Sequence, residues 1–83
     1  MTENSTSLSE KVQQTLADAL RVAQTEIGPE TQFGDLPQWD SMGHMEVLVA
    51  LEKAYSVEVS AETITELVSV PAICEYIQAR NPA

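Results

Sequence analysis

The sequence has one cysteine, one tryptophan, three glycines and only four basic residues among its 83 positions. A single cysteine, Cys74, excludes an internal disulfide. Lys and Arg number four against 13 Asp and Glu, which leaves a formal charge of −9. A field of this sign repels nucleic-acid backbones and anionic membranes, so no nucleic acid is expected as a partner and basic protein surfaces are. Long apolar runs are also missing. The longest, Val47 to Leu51, is far too short to cross a bilayer, which argues against membrane insertion. No stretch combines the charged start, long apolar run and small-residue exit of a signal peptide, so a cytoplasmic location is expected. The lone histidine and scattered acids match neither zinc spacing nor the order of a calcium loop, so no metal is expected. A chain of this size buries only about 60% of its unfolded surface, enough for one core but not for a deep interdomain cleft. An enzyme working alone is therefore not expected, and the chain reads as a monomer.

What is present is globular. Apolar residues make up 43% and charged residues 20%, which is ordinary folded composition rather than that of an acidic disordered tail. The charge is concentrated in the middle: between Glu30 and Glu66 eight acids face only Lys53.

Apolar spacing predicts an all-α domain of three main helices and one short one, with a long loop between the first and second. Ser7-Leu8-Ser9-Glu10 matches a capping box. Leu8, Val12, Leu16, Ala19, Leu20 and Ala23 follow at helical spacing, and the helix is expected to end before Gly28-Pro29. The segment from Pro29 to Asp40 reads as a loop pinned by Phe33, Leu36 and Trp39. Asp40 is a favoured N-cap type for a second helix from Ser41 to about Tyr55. Trp39 and His44 sit where a contact would staple its first turn. Residues 56–60 alternate like a strand but have nothing to pair with, so they read as an extended connection. Ser60 can cap a short helix through Leu67. Ser69 can cap a last one through about Gln78, with Pro71 in its first turn and Asn81-Pro82 beyond its end. The whole of 1–83 reads as one domain, ordered over about 7–79, with loose termini at 1–6 and 80–83.

The second helix has two apolar faces. His44, Val47, Leu48, Leu51, Ala54 and Tyr55 share an arc of about 120° that reads as the core side. Met42, Met45, Glu46, Val49, Glu52 and Lys53 lie opposite. These apolar residues are either a docking stripe, with Glu46 and Glu52 meeting a basic partner, or surface covered by the loop or third helix.

Asp40, Ser41 and His44 offer acid, nucleophile and base types within five residues. Neighbours on one helical turn rarely meet the geometry of a catalytic triad, so no catalytic residue is assigned. A serine hydroxyl exposed at a helix start does suit attachment of a phosphate group, because free amides and the helix dipole favour an anion there.

Trp39-Asp40-Ser41-Met42, followed by Glu46, Leu51-Glu52 and Tyr55, resembles an acyl carrier protein. Phe33 and Asp35-Leu36 upstream and the segment from Ser69-Val70 to Tyr76-Ile77 downstream belong to the same pattern. The resemblance covers roughly Leu8 to Ile77 and implies the family's bundle of three main helices and one short one. It implies that Ser41 is the attachment site of 4′-phosphopantetheine, covalently added from coenzyme A by a phosphopantetheinyl transferase using magnesium. The arm's thiol would carry acyl or aminoacyl groups as thioesters. Asp40 would support attachment. Met42, Met45, Glu46, Val49 and Glu52 would form the recognition face for loading and processing enzymes with basic docking surfaces. Ile64 would extend that face or pack in the core, and Val47, Leu48, Leu51, Tyr55, Val70, Ile73 and Ile77 would form the core and line any cavity for an acyl chain.

Two departures bear on the pathway. Gly43 stands where fatty-acid carriers usually have an acid, and Lys53 interrupts the acidic run, which points from fatty-acid synthesis toward a specialised pathway such as polyketide, modified-lipid, aminoacyl or surface-polysaccharide assembly. The Gly-Gly pair of peptidyl carriers is replaced by Pro37-Gln38-Trp39. Gly43 is also expected to weaken the first helical turn by about 0.5–1 kcal/mol relative to Ala, leaving the attachment site mobile. His44 reads as a staple or cavity-edge residue, or as a contact to the arm's phosphate. Cys74 reads as a packing residue. The alternatives to a discrete acyl carrier are an unmodified adaptor that only docks proteins, or an aminoacyl or peptidyl carrier.

Overall fold

The computed structural model describes residues 3–80, with side chains from residue 8 onward. Its helices are α1 (Glu3–Leu20), α2 (Ser41–Tyr55), α3 (Ala61–Glu66) and α4 (Val70–Arg80), and one 3₁₀ turn, Gln24–Glu26, interrupts the long segment between α1 and α2. This is the expected all-α arrangement. The apolar stripe of α1 supplies Val12, Leu16, Ala17 and Leu20 to the core, that of α2 Val47, Leu48 and Leu51, and that of α4 Val70, Ile73 and Ile77. α1 packs on both α2 and α4, while α3 rests on α2. On the core side of α2 the last turn departs from expectation: Ala54 is exposed and Tyr55 only half-buried.

Both ends of α1 differ from the sequence reading. The backbone is already helical at Glu3, so Ser7-Leu8-Ser9-Glu10 lies inside the helix. A capping box serves amides without helical partners, and here the preceding turn supplies those partners. Glu3 to Thr6 thus belong to α1, while Met1 and Thr2 lie outside the described residues. At the other end Arg21 turns left-handed, with φ 61°. The Val22 amide then donates to the Ala17 carbonyl at 3.0 Å, a Schellman-type stop that ends the helix well before Gly28-Pro29.

The later boundaries follow their caps. Ser56 ends α2 with φ 59°, its amide donating to the Glu52 carbonyl at 3.0 Å, after which 57–59 belong to no helix and, among the described residues, to no strand. At the start of α3 the Ser60 hydroxyl accepts from the Thr63 amide, and the Thr63 hydroxyl accepts from the Ser60 amide, a reciprocal cap. The Ser69 hydroxyl accepts from the Ala72 amide at 3.2 Å to start α4. The expected stop at Asn81-Pro82 lies outside the described residues.

The long loop is tied down by backbone pairing as well as by apolar side chains. Gln32 and Ser69 form an isolated antiparallel bridge. Around it the Phe33 amide donates to the Val68 carbonyl at 2.8 Å, and the Val70 amide donates to the Thr31 carbonyl at 2.9 Å. Trp39 is fully buried and Ile27 nearly so, but Phe33 remains 41% exposed, so it anchors the loop less than expected.

Candidate functional site

Ser41 is the first residue of α2 and is exposed. The two residues before it fix its position. Trp39 sinks into the core. Asp40 stays extended, and its Oδ1 accepts from the Gly43 amide at 2.9 Å while its carbonyl accepts from the His44 amide at 2.7 Å. The amides of Ser41 and Met42 precede His44, the first intrahelical donor, and belong to the helix start that favours an anion.

Gly43 has a role that its helix propensity does not describe. A Cβ at this position would collide with the Gln38 carbonyl oxygen and press on Leu20 Cδ2 at 2.9 Å. The glycine lets the loop backbone close directly on α2. The cost in helix propensity is real, but it accompanies a tight seat for the residues before Ser41.

His44 also departs from a simple staple. The Trp39 indole N–H donates to His44 Nδ1 at 3.0 Å, and His44 Nε2 lies 2.8 Å from the Ile64 carbonyl of α3. A nitrogen that accepts at Nδ1 requires the proton on Nε2, so the neutral Nε2–H tautomer satisfies both bonds. With both nitrogens engaged and the Asp40 carboxylate committed to Gly43, these residues form no acid–base–nucleophile relay. His44 is the cavity-edge residue, and its ring nitrogens are not turned toward the Ser41 hydroxyl.

Ser41 opens onto a groove of about 510 Å³ lined by Phe33, His44, Met45, Ile64, Thr65 and Val68. Met45 forms part of its wall and also joins Met42, Glu46 and Val49 in a neighbouring open depression of about 450 Å³. The anticipated face is therefore one surface around the serine, with Met42 81%, Met45 42% and Val49 43% exposed. Neither the loop nor α3 covers it. Glu52 is exposed but lies outside both hollows. Ile64 is half-buried, packing on the core and also lining the groove. All eight acids from Glu30 to Glu66 are exposed. Sequence reasoning overlooked Thr65 and Val68, and it valued Phe33 for the core rather than the groove. Pairing around the Gln32–Ser69 bridge and the packing of α3 on α2 bring these positions beside Ser41, and no local pattern announces either.

Among the described residues no cluster of three His, Cys, Asp or Glu could hold a metal ion, and no helix is long and apolar enough to cross a membrane. Cys74 is half-buried against the core, and burial pushes its thiol above the ordinary value of 9.0.

A family profile described as "Phosphopantetheine attachment site" matches residues 10–77. An acyl carrier protein from Clostridium acetobutylicum is 36% identical over 72 residues, covering 87% of this chain and 94% of that protein. One from Thermosynechococcus vestitus is 31% identical over 80 residues, covering 96% and 99%. A third, from Rubrobacter xylanophilus, is 29% identical over 74 residues, covering 89% and 91%. A four-helix chain with an exposed serine starting its second helix, matched over nearly its full length, belongs to the phosphopantetheine-binding acyl carrier protein family.

Proposed function

We propose that Ser41 is the residue that takes the 4′-phosphopantetheine arm from coenzyme A, and that the chain shuttles acyl or aminoacyl groups between enzymes of a specialised cytoplasmic pathway. The observation that carries this reading is the exposed Ser41 hydroxyl at the start of α2, held between a buried tryptophan and a capped first turn and opening on an apolar groove. The residues fit the group. Ser41 supplies the oxygen for the phosphoester, the helix start favours the phosphate, and Phe33, Met45, Ile64 and Val68 offer apolar surface beside it. When bound, the arm supplies a thiol that holds cargo as a thioester. Asp40 orients the serine by capping the turn. Met42, Met45, Glu46 and Val49 present adaptable apolar contact with an acidic residue among them, suited to the basic surfaces of a transferase and of loading enzymes. Gly43 and Lys53 remove negative charge from this face, which supports a specialised pathway over bulk fatty-acid synthesis.

The test is direct. Incubation with coenzyme A, magnesium and a broad-specificity phosphopantetheinyl transferase adds the arm's mass to the wild-type chain and adds nothing to Ser41→Ala. An unchanged wild-type mass would overturn the carrier reading in favour of an unmodified docking adaptor.

A further inference from the structure

Trp39 carries one polar hydrogen into the core, and a buried donor without a partner is costly. His44 Nδ1 accepts it, and the proton this leaves on Nε2 goes to the Ile64 carbonyl. That carbonyl lies in the last turn of α3, where carbonyls run out of intrahelical donors. One imidazole thus satisfies two groups and joins loop, α2 and α3. Phe33 stands edge-on to the same ring with centroids 5.4 Å apart, and its amide holds the Val68 carbonyl just beyond α3.

We propose that His44 is a positioning residue that keeps cargo tethered at Ser41 outside the helical bundle, in the groove between Phe33, Met45 and α3. The inference rests on attachment at Ser41 and adds where the cargo sits. Entry into the bundle from Ser41 requires α3 to part from α2, because α3 is the short helix packed there. Parting breaks the Nε2–H bond to Ile64 and frees the ring that satisfies Trp39. The space behind is filled: Trp39, Val47, Leu48, Leu51, Val70 and Ile73 are all fully buried, and a close-packed interior admits extra methylenes only with strain. The outer groove already exists, has apolar walls and requires no hydrogen bond to break. Short or polar acyl groups suit such a carrier, since they gain little from a dry interior.

The experiment compares wild type with His44→Leu, which keeps bulk without a donor, and His44→Gln, whose amide can donate to Ile64. Amide exchange in α3 is measured on the unloaded chains. Acetyl, hexanoyl and decanoyl forms are then prepared, attachment is verified by intact mass, and the methyl resonances of Leu48, Leu51 and Ile73 are followed by NMR. In wild type these resonances are expected to be independent of chain length. In His44→Leu they shift with the decanoyl form, and exchange at 64–68 is about tenfold faster; His44→Gln returns both toward wild type. A purely packing role would leave Leu and Gln alike and is thereby distinguished. Chain-length-dependent core shifts in wild type, or equal exchange in wild type and His44→Leu, would overturn the inference. If His44→Leu fails to fold, His44→Met offers an unbranched apolar side chain that likewise lacks a donor for the Ile64 carbonyl; unchanged α3 exchange there is equally fatal. Failure to add the arm at all appears in the mass and sinks the attachment reading, whereas added mass with core shifts sinks this inference alone.

Discussion

The two sides of α2 are similar in apolar content and opposite in fate. On one side Val47, Leu48 and Leu51 are fully buried; on the other Met42, Met45 and Val49 are 42% exposed or more. Burial of the inward set holds α2 against α1, while the outward set contributes little to the fold and remains available to another protein. Exposure therefore separates residues that make the domain from apolar residues left at its surface, a distinction the apolar period of one helix cannot supply.

Truncation on the inward side should be the most damaging change. Leu48→Ala is expected to cost about 2–5 kcal/mol by lost burial and a residual cavity, read from denaturant unfolding. Gly43→Ala comes next. Its Cβ would meet the Gln38 carbonyl, and overpacking of this kind costs about 1–3 kcal/mol; a neutral or stabilising result would show that the loop does not close on α2 as described. Asp40→Ala removes the cap and should cost about 1 kcal/mol, with slower addition of the arm where the turn also orients Ser41.

On the outward side the order of effects reverses. Met45→Glu should change stability by no more than about 0.5 kcal/mol while weakening partner kinetics about tenfold, read as kcat/KM of arm addition at low carrier concentration. Equal loss of stability at Met45 and Leu48 would erase the distinction between the faces. The smallest effect concerns Cys74, outside both. Because burial raises its folded-state value, the native chain retains that proton at a pH where the unfolded chain releases it. The associated stability is intact below the unfolded value and declines as pH rises through the folded one. Cys74→Ala should flatten that small alkaline decline in a pH series of unfolding curves.

Much of this was legible in the sequence because it is local. Asp40, Ser60 and Ser69 announce helix starts through their own side chains, and α2 runs over the residues its apolar period predicts. The true ends of α1 were hidden. Arg21 is not a residue that favours a left-handed turn, and a Ser-x-x-Glu pattern cannot reveal that the helix has already begun. The groove was hidden for another reason: Phe33 and Val68 meet through backbone pairing between distant segments, which leaves no trace in composition. His44 was legible as a neighbour of Trp39, but its second partner is a main-chain carbonyl, and any residue at position 64 would have supplied one.

The Gln38 carbonyl seated on Gly43 also constrains how such a chain can diverge. Any relative bearing a side chain at the position of Gly43 has to carry the preceding loop along a different path, so the helix position and the loop before it must change together. A side chain at position 43 is therefore expected to be tolerated only together with a change in the loop, and each such pair would give Ser41 a different approach from the loop side.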